Sequence, residues 1–375
     1  MYLSVVIPCL NEIDTIEKCI NKCFDSFRLL KIENSAEIII ADNGSTDGSI
    51  EAAKKAGAKV VNIKKKGYGN AIIGGIKYSS GKYIIIGDAD DSYDFSKLGD
   101  FYIKLKEGFD IVQGCRFSNG GGVIEKYAMP FSHRYFGNPF FSTISKFFFS
   151  LPFNDVYCGY RGFRKDIFEK LNHFSGGMVF AIENLIKFKV YGAKCAEIPV
   201  TLHKDGRKKT KSHLNTVSDG WKTLRFLLVA CPKWIYFFPS FILFFFSVFS
   251  YFDFLFPSLT SDINTSYSHL IKSIIYFLFS FQIFMFGLFA SLFAVKLKLL
   301  NSFLINLFFK IFKLRYAFYI VFILIFLFFI VYNFKDEIGM NSLNILILKY
   351  SSLLFSVLLI LNSLYISLIT LDEST

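Results

Sequence analysis

Tyr83-Ile84-Ile85-Ile86-Gly87-Asp88-Ala89-Asp90-Asp91 decides the fold of this chain. Four apolar residues bounded by a glycine read as a buried strand, and that strand delivers three carboxylates to its C-terminal end. Carboxylates crowded so closely repel one another unless a positive group holds them together. A hard divalent cation does this, bound through one or two carboxylates and completed by substrate phosphates. The competing reading is an exposed acidic turn in which Asp91 or Ser92 caps a helix. The surrounding sequence favours the first.

Working outward, Leu3-Ser4-Val5-Val6-Ile7-Pro8 is a second short apolar strand, followed by Cys9-Leu10-Asn11-Glu12 and a helical stretch from about Asp14. A third strand, Glu37 to Ala41, runs into Asp42-Asn43-Gly44-Ser45-Thr46-Asp47-Gly48. Strands that end in polar turns, in an open α/β sheet, put their loops where ligands bind. Lys64-Lys65-Lys66-Gly67-Tyr68-Gly69-Asn70-Ala71 joins a fourth strand, Lys59 to Asn62, to a helix. Glycines before a helix N-terminus beside three lysines suit an anionic ligand. Ile72 stands where the dinucleotide fingerprint needs glycine, and a P-loop lysine and hydroxyl are missing, so a nicotinamide dehydrogenase and a P-loop NTPase are both disfavoured.

Six ordered pieces now resemble the family 2 glycosyltransferases, in the branch that acts on dolichyl or polyprenyl phosphate. They are Val5-Val6-Ile7-Pro8 with Asn11-Glu12, Asp42 to Asp47, Gly67 to Ala71, Asp88-Ala89-Asp90, Gln113-Gly114-Cys115-Arg116, and Asp155 to Arg161. The resemblance implies an α/β fold of the GT-A type, a nucleotide-binding domain on a mostly parallel sheet. It implies a nucleotide sugar donor, with Pro8, Glu12 and Asp42 on base and ribose, and Asn43, Gly69 and Ala89 in the same pocket. Asp88 would lie between nucleotide and metal, Asp90 would be the principal ligand of Mg2+ or Mn2+, and Asp91 a further one. Arg116 resembles the arginine near the diphosphate, and Arg134 is a second candidate. Arg161, Arg207 and Lys211 fall in segments resembling those near the acceptor phosphate. Two departures stand out: Asn43 where many relatives carry a second carboxylate, and Ser92 where a metal-contacting glutamine is frequent.

Sugar transfer from a nucleoside diphosphate builds negative charge on the leaving group, so cations fixed there favour the transition state. A lipid phosphate acceptor is already ionised at neutral pH and needs positioning rather than a strong base. His133, His203 and His213 are therefore not assigned as bases.

The chain has 375 residues, of which 53% are hydrophobic, and a mean hydropathy of +0.42. Its apolar residues concentrate after position 225, which divides the chain into a catalytic domain, 1–225, and a membrane domain, 226–375, of all-α transmembrane character. Four stretches meet the length of a spanning helix: 234–256, 271–295, 316–334 and 343–371. Lys349 inside the fourth reads as a snorkelling end in preference to a polar contact within the bundle. The connector 257–270 has no Lys or Arg, whereas the next holds Lys296, Lys298, Lys310, Lys313 and Arg315. The positive-inside rule then places both termini and the catalytic domain in the cytoplasm. Residues 301–314 read either as a helix lying in the membrane interface or as an extension of a span. A cleavable signal peptide is not expected, since the first apolar run is short.

The seven cysteines are dispersed and read as free thiols. Net charge is +12, with Arg207, Lys208, Lys209 and Lys211 clustered before the first span, a pattern drawn to anionic lipid. A nucleic-acid partner is rejected, because the aromatic residues lie mainly in the spans rather than among the basic ones. Rival readings are a family 2 enzyme with another membrane or polysaccharide acceptor and a non-catalytic membrane scaffold. Neither Trp221 nor Trp234 is preceded by the arginine usual in processive synthases.

Overall fold

A computed structural model describes residues 2–207, 216–256, 263–300, 307, 318–323, 325–326 and 342–370. Lys211, His213, the stretch 301–314 apart from Leu307, and most of the span expected at 316–334 lie outside the described residues. The chain forms two compact units, Met1–Leu227 with Leu297–Leu299, and Leu228–Lys296 with Leu300–Thr375.

The first unit alternates strands and helices: β1 (Leu3–Cys9), α1 (Ile16–Leu30), β2 (Ala36–Asp42), α2 (Ser49–Lys55), β3 (Lys59–Asn62), α3 (Tyr68–Lys77), β4 (Tyr83–Ile86), α4 (Leu98–Lys106) and β5 (Ile111–Cys115). There follow β6 (Val123–Ile124), α5 (Asn138–Phe149), β7 (Arg161–Arg164), α6 (Lys165–Lys170), α7 (Phe180–Tyr191), β8 (Cys195–Pro199), β9 (Thr201–Leu202) and α8 (Thr216–Ala230). Seven strands make one sheet in the order β3-β2-β1-β4-β7-β5-β8, and β6 pairs with β9 in a small second sheet. β7 runs antiparallel to both β4 and β5, while the other pairings are parallel.

The continuous apolar runs of β1 and β4 fit a sheet covered on both faces. Leu3, Val5, Val6, Ile7, Ile84, Ile85 and Ile86 are all buried. α1 lays Ile16, Cys19, Ile20, Cys23 and Phe27 against one face, at the spacing of a single helical stripe. Each such aliphatic or aromatic side chain contributes about 1.5–3 kcal/mol on burial, so Phe27→Ala would cost about 3–5 kcal/mol. α1 ends at Lys31, whose left-handed backbone lets its N–H bond back to Arg28 and Phe27.

The order of strands reverses at β1, with β2 on one side and β4 on the other. Cys9 stands opposite Asp42, and Asp42 opposite Asn62, so three strands end level. A crevice outside the carboxyl ends of strands, at such a reversal, is where open α/β sheets bind ligands.

In the second unit, a π-wound turn, Lys233–Phe237, leads into α9 (Phe238–Leu255), followed by α10 (Ile263–Lys296) and α11 (Ser342–Thr370). Among the described residues two helices are long and apolar enough to cross a membrane, Lys233–Leu255 and Tyr267–Lys296. α11 carries a shorter apolar stretch, Lys349–Tyr365. α9 and α10 are antiparallel partners joined by serines: Ser240 and Ser280 each donate to the other's carbonyl at 2.9 and 2.8 Å, and Ser247 donates to the carbonyl of Ser273 at 2.8 Å. α10 meets α11 through the Gln282–Asn362 amide pair, with Asn362 donating at 3.0 Å. Small and polar residues inside, with Phe241, Phe245 and Phe249 outside, are what packing in hydrocarbon requires.

Candidate active site

The loops after β1 and β2 are laced together by short polar side chains. Gly44 and Ser45 donate their N–H groups to the Asp42 carboxylate at 2.9 and 3.0 Å. Asn11 has a left-handed backbone; its N–H donates to Ser45 Oγ and its Oδ1 accepts from the N–H of Thr46. The N–H of Glu12 donates to Ser49 Oγ at 2.8 Å, and that of Ile13 to Asp47 Oδ2 at 3.0 Å. Burial works to raise the Asp47 pKa, but hydrogen bonds from Ser49 and Ile13 outweigh it and hold this carboxyl below the usual range. Asn43 serves as a latch for the lysine-rich loop, donating to the carbonyls of Ile63 and Lys65 and accepting from the N–H of Gly67 at 2.7 Å.

Past β4, Asp88 and Asp90 face a shared set of charges. Asp90 Oδ1 accepts from the Ser92 N–H and hydroxyl at 3.1 and 2.6 Å. Its Oδ2 meets Arg207 Nη1 at 3.2 Å, while Arg207 Nε donates to both oxygens of Glu12 at 3.0 and 2.9 Å. The segment 203–207 is pinned to the same tip by His203 N–H to Ser92 O at 2.9 Å and Gly206 N–H to Asp90 O at 2.8 Å. The Asp88 carboxyl is pushed up to about 7 by burial and by the Asp90 charge, against the opposing effects of the Tyr68 hydroxyl, Arg207 and Arg116.

Arg116 forms a buried bidentate pair with Asp155, Nε to Oδ2 at 2.6 Å and Nη2 to Oδ1 at 2.9 Å, and its backbone N–H adds a third bond to Oδ2. Behind that pair, Gln113 donates to the carbonyls of Asp155 and Cys158, and Glu197 accepts from the N–H groups of Asn154 and Asp155. His133 is held below the ordinary histidine range by burial and by the Arg116 charge.

Several expected site residues take other partners. The Asp91 backbone is left-handed, and its carboxylate pairs with Lys18 and with Lys22, the latter at 2.7 Å. α1 thus holds the third acid of the run away from a metal role. Arg161 is 1% exposed, with its guanidinium donating to the carbonyls of Ala181 at 2.8 Å and Cys158 at 2.9 Å; it ties β7 to α7 and to the loop before it. Gly67 and Gly69 make room for protein rather than phosphate: a Cβ on Gly69 would lie 2.2 Å from the Ser175 carbonyl, and one on Gly67 2.3 Å from that of Gly176. Glu183 on α7 holds that neighbouring loop by accepting from the N–H groups of Phe174 and Ser175. Ala89 packs into the core, where its carbonyl accepts from the Cys19 thiol. Pro8 is half-buried in β1. Arg134 lies in the π-wound turn His133–Gly137, its guanidinium over the Tyr135 ring at 5.5 Å.

Three contributors had no role assigned from sequence. Asp155 lies in an otherwise apolar stretch, which is the signal of a buried acid in need of a cation. Tyr68 hydrogen-bonds Asp88. Gly159 is required because a Cβ there would fall 2.6 Å from Asp88 Oδ2; nothing in the local sequence announces that approach.

Asp88 and Asp90 fit a hard divalent cation. Burial and then the Asp90 charge raise the Asp88 pKa, and a cation would offset both by favouring the ionised carboxylate. Among the described residues no group of three or more His, Cys, Asp or Glu forms a closed metal cage, so phosphate oxygens of a ligand would have to complete the coordination.

A sheet reversal with an acidic strand tip and neighbouring arginines marks the candidate site of this α/β unit, and the comparisons with known proteins narrow the class. Residues 4–172 match the model of glycosyl transferase family 2, so the first unit carries a glycosyl transferase family 2 domain. The low-salt glycan biosynthesis hexosyltransferase Agl6 of Haloferax volcanii is 33% identical over 240 residues, covering 64% of this chain and 56% of that protein. A dolichol-phosphate mannosyltransferase of Pyrococcus furiosus is 27% identical over 226 residues, 58% of this chain and 61% of the relative. The chain thus spans little more than half the length of these relatives. A crystal structure of glucosyl-3-phosphoglycerate synthase from Mycobacterium tuberculosis with Mn2+, uridine diphosphate and glucosyl-3-phosphoglycerate aligns with a TM-score of 0.48 at 22% identity, covering 61% of this chain and 80% of that one.

Proposed function

We propose that this chain transfers a hexose from a nucleoside diphosphate sugar to a polyprenyl phosphate at a membrane surface, using Mg2+ or Mn2+ and inverting the anomeric carbon. The observation that carries the reading is the pair Asp88 and Asp90 at the tip of β4, beside the β1 reversal, with Arg207 ion-paired to Asp90. The family 2 domain and the relatives named as hexosyl- and mannosyltransferases support it.

In this reading Asp90 and Asp88 hold the cation, which when bound supplies positive charge to the departing diphosphate. Pro8, Glu12, Asp42 and Asn43 shape the wall for base and ribose, with Asp42 keeping its loop closed through Gly44 and Ser45, while Ala89 backs that wall from the core. Arg116, fixed by Asp155, contributes a permanent positive charge beside Asp88 that costs no reorganisation during the reaction. The acceptor phosphate oxygen attacks the anomeric carbon, forming the new C–O bond as the bond to the diphosphate oxygen breaks and the nucleoside diphosphate leaves. Arg207 and Arg134 orient that phosphate, together with Lys211. Arg161 acts from the interior, as a brace for the loop carrying Gly159.

The membrane part of the proposal is four spans, with the family 2 domain and both termini cytoplasmic. The two apolar helices and the lysine-rich connector after α10 support it. The test is purified full-length protein given radiolabelled UDP- and GDP-sugars with undecaprenyl phosphate. A label extractable into organic solvent, dependent on the metal and lost in Asp90→Ala, is expected. Undiminished product in that variant contradicts the mechanism.

A further inference from the structure

The tip of β4 is matched by a cation of the protein's own. Asp90 Oδ1 is committed to Ser92, accepting from its N–H at 3.1 Å and its hydroxyl at 2.6 Å. Oδ2 faces Arg207 Nη1 at 3.2 Å, and the other edge of the same guanidinium grips Glu12 through Nε at 3.0 and 2.9 Å. The Arg207 side chain is 13% exposed and that of Glu12 5%, so their attraction is screened far less than that of a surface pair. The backbone seats the arginine. Gly206 donates to the Asp90 carbonyl at 2.8 Å, and a Cβ there would lie 2.8 Å from Thr15 Cγ2, so this approach depends on glycine. Upstream, His203 donates its N–H to the Ser92 carbonyl at 2.9 Å, and its Nδ1 stands 2.8 Å from Glu125 Oε1.

A divalent ion on Asp90 would sit about 2.0–2.6 Å from its oxygens. With Oδ1 already accepting two bonds, the ion has to take Oδ2 from Arg207. A bare ion gains little by this, because the displaced guanidinium stays close by, positive, with Glu12 as its remaining partner. Phosphate oxygens change the balance: they complete the shell of the ion and offer the freed fork a charge-assisted, bidentate partner. We infer that Arg207 is the resident counter-cation of the Asp88–Asp90 tip and makes metal binding conditional on a phosphate ligand. This role rests on Asp88 and Asp90 being the cation-holding pair proposed above. Within it, Arg207 determines specificity: the site takes a metal diphosphate and turns away the bare ion.

The test measures Mn2+ binding to the full-length protein in detergent, from the electron spin resonance of the free ion, with and without UDP. In the native chain UDP should tighten Mn2+ binding at least about tenfold. Arg207→Ala should bind Mn2+ alone at least about tenfold more tightly than the native chain does. Guanidinium chloride should reverse that gain by filling the vacated seat, whereas sodium chloride of equal ionic strength should not. Arg207→Lys keeps the charge but loses the fork that spans Glu12 and Asp90, so it should show a smaller gain, and it serves where the alanine variant fails to fold. Two results overturn the role of Arg207 and leave the transferase reading standing: neither variant binds the bare ion more tightly than the native chain, or sodium cancels the gain as well as guanidinium does. A native chain that binds Mn2+ no better with UDP contradicts both.

Discussion

The two units use buried polar side chains in opposite ways. In the first, Asp42, Asp155, Glu183 and Arg161 lie inside a core of isoleucine and phenylalanine, and each aims its polar end at a loop it must hold. In the second, Ser240, Ser247, Ser273 and Ser280 lie inside while phenylalanines cover the outside, and the serines bond helix to helix. The difference matches the solvents proposed for the two units, water for the first and hydrocarbon for the second. In water a buried charge must be matched closely, and removing its partner is costly; in hydrocarbon an apolar exterior is required and modest hydrogen bonds suffice between helices. α5 in the first unit shares only the buried serines with that pattern: Ser142 accepts from the Val156 N–H of a loop, and Thr143 and Lys146 stand exposed beside Phe140 and Phe147.

The comparison can be broken first at Arg116. Asp155→Asn leaves a buried guanidinium without its charge partner and should cost about 3–5 kcal/mol, lowering the denaturation midpoint of the detergent-solubilised protein and abolishing transfer. A loss below about 1 kcal/mol would mean that the pair is exchangeable, as a surface pair is.

A second prediction concerns His173, stacked on Phe168 at 4.1 Å and pushed down to about 3 by burial, with Lys187 and Arg161 adding to the shift. A folded-state pKa below the ordinary 6.5 means the folded form takes up its proton later than the unfolded one. Stability is therefore fully present above pH 6.5 and declines as pH falls from 6.5 toward 3, by about 1.4 kcal/mol per unit once well below 6.5. His173→Gln should flatten that slope in melting curves taken between pH 7 and 5; an unchanged slope would assign the acid sensitivity elsewhere.

The smallest effect belongs to the second unit. Ser247→Ala or Asn362→Leu should each cost about 0.6 kcal/mol and no more than about 1.7, the range for hydrogen bonds between membrane helices. Thermal unfolding in detergent checks this, and a loss of several kcal/mol would show that these helices obey the rules of the first unit.

Much of the site was legible because strand ends and turns carry local signals. The apolar runs 3–8 and 83–86 read as buried strands, and the acidic tip at Asp88 and Asp90 follows directly from the second of them. What escaped depends on backbone geometry or distant approach. Nothing near Asp91 tells that a left-handed backbone will hand its carboxylate to Lys18 and Lys22. Gly67 and Gly69 suit a phosphate and a neighbouring carbonyl equally well in sequence, and the loop at 175–177 that takes the space is a hundred residues away. Arg161 read as an acceptor cation because its type fits one, whereas its burial is a property of β7 between β4 and β5. The rings of α5 were submerged in a chain with 48 phenylalanines.

The most direct test of the central claim is calorimetric titration of UDP and GDP into the full-length protein, with and without Mn2+, for the native chain and for Asp90→Asn. The account predicts that the metal tightens nucleotide binding at least about tenfold in the native protein, equivalent to about 1.4 kcal/mol, and does little in the variant. Equal affinity with and without metal in the native chain would contradict it.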